Sequence, residues 1–140
     1  MTELQNILEK YGFPKRTNTS SVDIKLIEKQ IGFSLPDDYL FYLTNYQGHE
    51  EFVGPELVTL WDFDELLATN EQTGIFKNLP LTLGIGNNPS SEFIAIQYTP
   101  DSKYRIVLSP FIDLDKQYHI EIGSSFTDFF IRLENGKEWF

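Results

Sequence analysis

The side chains that could do chemistry in this sequence are few, and none follows the spacing of a catalytic or metal-binding motif. His49 and His119 are the two histidines, and histidine is the side chain that titrates near neutral pH. Glu50 and Glu51 follow His49, but a metalloprotease zinc site needs a second histidine one helical turn away. We expect structural roles for both histidines, with His49 in a loop after Gly48; a ligand or general-base role is the alternative.

Three other patterns have simpler explanations than catalysis. Gly84-Ile85-Gly86 lacks the third glycine and the following helix of a dinucleotide site, so it predicts a turn. Ser124 and Ser125 would need a neighbouring base to act as nucleophiles, whereas helix capping explains them. Asp62 and Asp64 would do acid–base work only if their environments separated their pKa values, and a capped helix start also accounts for them. We expect no catalytic residue, no cofactor, no metal site and no enzymatic activity.

Acidic residues are concentrated in the centre of the chain. No Lys or Arg occurs from residue 30 to residue 76. Besides Glu71, the carboxylates of this stretch are our candidates for a partner-binding surface: Asp37, Asp38, Glu50, Glu51, Glu56, Asp62, Asp64 and Glu65. They fall at predicted helix starts and loops, where we expect them to reach solvent. One interpretation is an ordinary solvated surface; the other is a docking face whose field attracts a cationic partner.

Composition bounds the class of protein. The chain has 140 residues, a net charge of −10 and no cysteine. That length fits a single domain over residues 1–140, and the charge disfavours nucleic acid and anionic membranes as partners. The first residues lack the pattern of a secretory signal, and no apolar run reaches the roughly 20 residues that span a bilayer. We expect a soluble, cytoplasmic protein that acts on another protein; its oligomeric state stays open.

The order of the periodic segments predicts an α+β fold, with N-terminal helices, a central mainly antiparallel sheet and a C-terminal helix around one core. Helices are predicted over residues 2–11, from Ser20 or Ser21 to 31, from Pro36 to 46 with Gly48 as the stop, over 62–67, and from Ser124 or Ser125 to 133. Strands are predicted over 57–61, 79–85, 92–98, 104–108 and 118–122. The residues that should be most deeply buried are Leu35, Tyr39, Leu43, Trp61, Phe126 and Phe130.

Four landmarks occur in the order found in a known family. They are Ile31-Gly32-Phe33-Ser34-Leu35-Pro36-Asp37-Asp38-Tyr39, Leu60-Trp61 before a short acidic helix, Leu83-Gly84-Ile85-Gly86-Asn87-Asn88 between two strands, and Gly123-Ser124-Ser125-Phe126 before the last helix. Together they cover roughly residues 20–133, and they resemble the SUKH superfamily. The Asn87-Asn88-Pro89 sequence departs from the Asp or Gly that the family often has after the glycine pair, which argues against a ligand role for that turn but not against the fold.

The resemblance implies a binding protein. The bacterial members of the superfamily are immunity proteins that neutralise a toxin domain, often a nuclease, and the yeast member is a cell-wall assembly regulator. We therefore expect an immunity protein that binds a basic toxin nuclease through its acidic surface. The alternative is an interaction or scaffold module of the yeast type, and catalysis is a third possibility.

Overall fold

The computed structural model describes residues 2–17 and 23–140. Its helices are α1 Thr2–Lys10, α2 Ile24–Ile31, α3 Asp37–Asn45, α4 Phe63–Gln72, α5 Ile75–Asn78 and α6 Phe126–Glu134, with a 3-10 turn at Lys116–Tyr118. Its strands are β1 His49–Val53, β2 Glu56–Leu60, β3 Thr82–Asn87, β4 Glu92–Tyr98, β5 Tyr104–Pro110 and β6 Ile120–Gly123. This order of elements confirms the predicted α+β fold.

The six strands form one antiparallel sheet in the order β1-β2-β3-β4-β5-β6, so each strand pairs with its neighbour in sequence. β4 has the bounds that its sequence pattern predicts. The prediction of a loop at His49 is wrong, because His49 begins β1 and pairs with Leu60. β1 and β6 are the two edges of the sheet.

The sheet is buried on both faces at its centre. Residues 93–97 of β4 are all buried, although successive side chains of a strand point to opposite faces. On one face the buried Asn70 of α4 donates to the carbonyl of Gly84 at 2.8 Å and accepts from its amide at 2.7 Å. α6 packs on β5 and β6 and contacts α1 and α3. The sheet therefore holds α4 and the α1–α3–α6 layer in fixed positions.

The six residues expected to be most deeply buried are all buried: Leu35, Tyr39, Leu43, Trp61, Phe126 and Phe130. Three of them, Tyr39, Phe126 and Phe130, form an aromatic group that packs edge to face. Phe126 lies 5.1 Å from both Tyr39 and Phe130 between ring centroids, with interplanar angles of 83° and 76°. The predicted apolar face of α6 is thus the wall of the core that α3 packs against.

Helix ends follow the predicted chemistry with two corrections. Gly32 ends α2 in the left-handed conformation, and the hydroxyl oxygen of Ser125 accepts the amide of Asp128 at the start of α6. Pro36 is the residue before α3 and not its first helical residue, and α3 ends at Asn45, well before Gly48. Asp23 caps α2; the predicted caps Ser20 and Ser21 lie outside the described residues.

The Gly84-Ile85-Gly86 motif lies inside β3, so the prediction of a turn there is wrong. The pairing of β3 with β4 shifts by one residue between Gly84 and Gly86. A Cβ atom at Gly86 would lie 2.2 Å from the carbonyl oxygen of Thr59. The glycine therefore permits close contact between β3 and β2.

Across residues 2–17 and 23–140, no helix combines the length and the apolar character needed to cross a membrane. The same residues hold no group of three or more His, Asp or Glu side chains placed to bind a metal ion.

Candidate partner-binding surface

Four of the eight candidate carboxylates stabilise the fold, because each joins separate segments or caps a helix. Asp62 is the clearest case, because its Oδ1 atom lies 2.6 Å from Nη2 of Arg16. The same guanidinium donates to the carbonyls of Leu43 and Tyr46 at the end of α3, and only 6% of the Arg16 side chain is exposed. Arg16 thus ties the start of α4 to the end of α3 and neutralises the Asp62 charge.

The pKa of Asp62 records this environment. Partial burial opposes ionisation of the carboxyl group, but the hydrogen bond and charge of Arg16 and the amides of Phe63 and Gly48 outweigh it. The pKa of Asp62 is therefore held below its usual value. Next to it, Glu65 accepts the backbone amide of Asp62 at 3.0 Å, which completes the predicted capping interaction.

Asp38 and Glu56 join distant segments. Asp38 Oδ2 accepts the amide and the hydroxyl of Thr127 at 2.8 and 2.9 Å, which fastens the start of α3 to the start of α6. Glu56 Oε2 accepts the amide of Trp139 at 2.6 Å, which holds the C-terminal segment against β2. The expectation that all eight carboxylates merely reach solvent is wrong for these two residues and for Asp62.

The other four candidates are less constrained. Asp37 and Asp64 lie exposed in the first turns of α3 and α4, where the helix dipole favours a negative charge. Glu50, exposed on β1, accepts the hydroxyl of Thr59 at 2.8 Å. Glu51 lies 3.2 Å from His49 Nε2, with 38% of its side chain exposed. These are the carboxylates that the structure leaves available to a partner.

The candidates do not form one continuous group. Asp37 and Asp38 start α3, whereas β1 follows its other end, and a nine-residue helix is about 12 Å long between its first and last residues. Glu50, Glu51 and Asp64 lie nearer to one another, since the amide of Gly48, just before β1, bonds the Asp62 carboxylate just before α4. The β1–β2 hairpin and the start of α4 therefore form the most compact group of candidate carboxylates.

Sequence reasoning missed the aromatic residue of this hairpin. Phe52 on β1 is 58% exposed, and it follows Glu50 by two positions, so the two side chains share a face. Leu57 and Thr59, their partners on β2, lie on the same face and are partly exposed. We call Glu50, Phe52, Leu57 and Thr59 the hairpin face. The Gly54-Pro55 turn before the predicted strand over 57–61 is the sequence signal that could have indicated the hairpin.

A close contact fixes the tip of the hairpin. Gly54 in its two-residue turn has φ of +61°, and a Cβ atom there would lie 2.0 Å from the carbonyl oxygen of Leu133 in α6. Only glycine combines that backbone angle with that approach. The hairpin face is thus presented on a backbone held at both ends, by α6 at the turn and by Asp62 at the base.

The histidines and serines of the sequence have structural surroundings. His49 packs edge-on against Phe13, with ring centroids 5.2 Å apart. His119 Nδ1 lies 3.3 Å from Gln97 Nε2, and Gln97 accepts from Arg105 at 2.6 Å. Burial, followed by the charges of Arg105 and Lys116, lowers the pKa of His119. Ser124 donates to the carboxylate of Asp128 at the start of α6.

Comparison with known proteins identifies the family. No individually curated protein matches the chain significantly. A family model described as the SMI1/KNR4 family (SUKH-1) matches residues 18–132. The match spans α2 to α5, the whole sheet and most of α6, and it includes the four landmarks that resemble the SUKH superfamily. The chain therefore belongs to the SMI1/KNR4 family (SUKH-1).

Proposed function

We propose that this protein is an immunity protein that binds and neutralises a cationic toxin domain, with a nuclease as the toxin of best chemical fit. The observation that supports the proposal is the base-free stretch from residue 30 to residue 76, which leaves Glu50 and Glu51 on β1 and Asp64 in the first turn of α4 available to a partner. A nuclease holds its substrate in a positive channel, so an acidic surface is complementary to it. We assign the activity to a single domain over residues 1–140 acting in the cytoplasm.

Inhibition by occlusion needs no chemistry from the immunity protein. Exposed carboxylates raise the rate of encounter with a cationic surface and disfavour acidic competitors. The energy that keeps the complex together comes mainly from a few residues that become fully desolvated in the interface. Phe52 is the exposed aromatic residue beside the available carboxylates, so the hairpin offers both contributions.

The second candidate function is an interaction module of the cell-wall assembly type. The description of the matching family favours it as much as it favours immunity, because that family carries the SMI1/KNR4 name. A module of this type would bind a partner without suppressing a toxin.

Co-expression with a candidate toxin domain, sought in the genes next to the one for this chain, separates the two functions. We expect the unmodified protein to restore growth of cells that make the toxin domain, and to bind the purified domain with an affinity that falls as salt is raised. Failure to restore growth and to bind that domain would overturn the immunity proposal. Recovery of a cell-wall or signalling complex in its place would then support the interaction module.

A matched pair of double variants tests the acidic surface. Glu50→Lys with Glu51→Lys should weaken binding and flatten its loss with salt, because two attractive rim carboxylates become repulsive charges and salt screens that repulsion. Glu71→Lys with Asp113→Lys makes the same change in net charge at exposed positions away from the hairpin. Equal weakening by both pairs would show a general effect of net charge and would contradict a localised acidic interface.

A further inference from the structure

Among residues 2–17 and 23–140, nothing pairs with the outer edge of β1, which is an open hydrogen-bonding surface. The turn between β1 and β2 contains only Gly54 and Pro55, and Val53 pairs with Glu56 across it. In a hairpin with a two-residue turn the flanking pair exchanges both backbone hydrogen bonds, and bonded pairs then alternate along the ladder. The amides and carbonyls of Glu50 and Phe52 therefore point away from β2. Within the described residues, no backbone or side-chain group outside the hairpin bonds them.

The side chains beside this edge form a mixed apolar and acidic surface. Phe52 stands 58% exposed next to its partly exposed partner Leu57. Glu50 flanks them on the same face, and Glu51 contributes a second carboxylate at the edge. An exposed phenylalanine is a ready anchor for an apolar side chain of a partner, and each flanking carboxylate favours a cation opposite it.

A second copy of this chain is a poor occupant of the edge. Antiparallel pairing of two β1 strands centred on Glu50, on Glu51 or on the bond between them would place carboxylate directly opposite carboxylate. Like charges in directly opposite positions destabilise strand pairs, and charged edge strands are a recognised protection against self-association. The charge pattern therefore disfavours self-pairing in these registers, and it favours a strand that places a cation opposite Glu50 and Glu51.

We propose that the cationic partner adds an extended segment to β1 as a seventh strand of the sheet, with Lys or Arg opposite Glu50 and Glu51 and an apolar side chain against Phe52. This inference rests on the proposed function, since the partner is the same toxin domain. Strand addition supplies affinity through main-chain hydrogen bonds and specificity through alternate side chains. The acidic hairpin then steers the toxin domain, and the β1 backbone holds it.

Backbone amide exchange tests the inference without any substitution. In the free protein the amides of Glu50 and Phe52 should exchange quickly, whereas that of Glu51, bonded to β2, should exchange slowly. In the complex with the toxin domain that the protein neutralises, the amides of Glu50 and Phe52 should become protected and that of Glu51 should change little. A complex in which both outward amides keep their free-state exchange rates would overturn strand addition.

Substitution at Phe52 supplies the second test. Proline removes the outward amide but leaves the hairpin bonds intact, and proline is tolerated on edge strands. We expect Phe52→Pro and Phe52→Ala to weaken binding by about thirtyfold or more, as loss of an interface anchor does. Leu26→Ala, at the 47% exposed leucine of α2, should bind like the unmodified protein. A thermal melt of each variant separates loss of binding from loss of fold.

The outcomes distinguish the two proposals. A toxin domain that the unmodified protein neither binds nor neutralises would overturn the proposed function and the inference built on it. Normal neutralisation with equal affinity of Phe52→Pro would leave the function standing and overturn strand addition. A loss shared by Phe52→Ala and Phe52→Pro, together with protected outward amides, would support the inference in both of its parts.

Discussion

At the residue scale, a carboxylate in this chain is defined by its partner more than by its position in sequence. Asp62 and Asp64 lie two residues apart in the same acidic segment. Asp62 bonds Arg16, which is 46 residues earlier in the chain, while Asp64 faces solvent. The two residues should therefore answer very differently to the same substitution.

We predict that Asp62→Ala destabilises the protein by about 2–3 kcal/mol, because Arg16 stays largely buried and loses its charged partner. Asp64→Ala should cost less than about 1 kcal/mol, the usual worth of a charge near an exposed helix start. Urea unfolding at neutral pH measures both values. Equal effects of the two substitutions would contradict the structural role of Asp62.

The pH dependence follows from the lowered pKa of Asp62. A carboxyl group whose pKa is lower in the folded state contributes stability above its unfolded value of about 3.9, and that stability is lost as the pH falls through the folded value. The difference in unfolding free energy between the unmodified protein and Asp62→Asn should therefore be constant from pH 7 to pH 5 and should shrink below pH 4. A difference that persisted unchanged at pH 2 would show that the ion pair is not its source.

At the element scale, α3 and α6 are joined by aromatic packing. Phe126 lies between Tyr39 and Phe130, and Phe130 in turn meets Phe13 at 5.8 Å. We predict that Phe126→Ala or Phe130→Ala destabilises the protein by about 3–5 kcal/mol, because each substitution leaves a cavity in a fully packed cluster. Phe140→Ala, at a ring 72% exposed, is the matched control and should have little effect on the unfolding midpoint.

His119, the residue before β6, is a second titrating group whose pKa affects stability. Burial and neighbouring cations lower the pKa of His119, so the unfolded chain takes up a proton first as the pH falls below about 6.5. Stability associated with neutral His119 is therefore present above that pH and is lost towards the lower folded value. We predict that His119→Gln flattens the fall in unfolding free energy between pH 7 and pH 5. An unchanged slope would assign that fall to other groups.

At the scale of the whole molecule, the net charge of −10 should separate binding from folding. Excess negative charge destabilises a compact state through self-repulsion, and added salt screens that repulsion. We predict that raising the salt concentration weakens binding of the cationic toxin domain while the melting temperature does not fall. Parallel titration calorimetry and thermal melts over one salt series measure this, and a melting temperature that fell along with affinity would contradict it.

Local patterns in the sequence determined much of the architecture. The bounds of β4, the serine cap of α6, the capping interaction between Asp62 and Glu65, and the burial of Tyr39, Phe126 and Phe130 were all predictable. Each depends on neighbouring residues or on one period of a helix or strand, so the information lies within a few positions. The four landmarks of the SUKH superfamily are local motifs of the same kind.

Only the tertiary structure decided which carboxylates are available to bind a partner. Strand β1 was hidden in the sequence because its five residues, His49 to Val53, do not alternate between polar and apolar side chains. Arg16, Thr127 and Trp139 satisfy the carboxylates of Asp62, Asp38 and Glu56 from 46, 89 and 83 residues away. No local period records such contacts, because hydrogen bonds between distant segments form only when packing brings them together. The separation of structural carboxylates from available ones, and the exposure of Phe52 beside the latter, therefore belong to the fold.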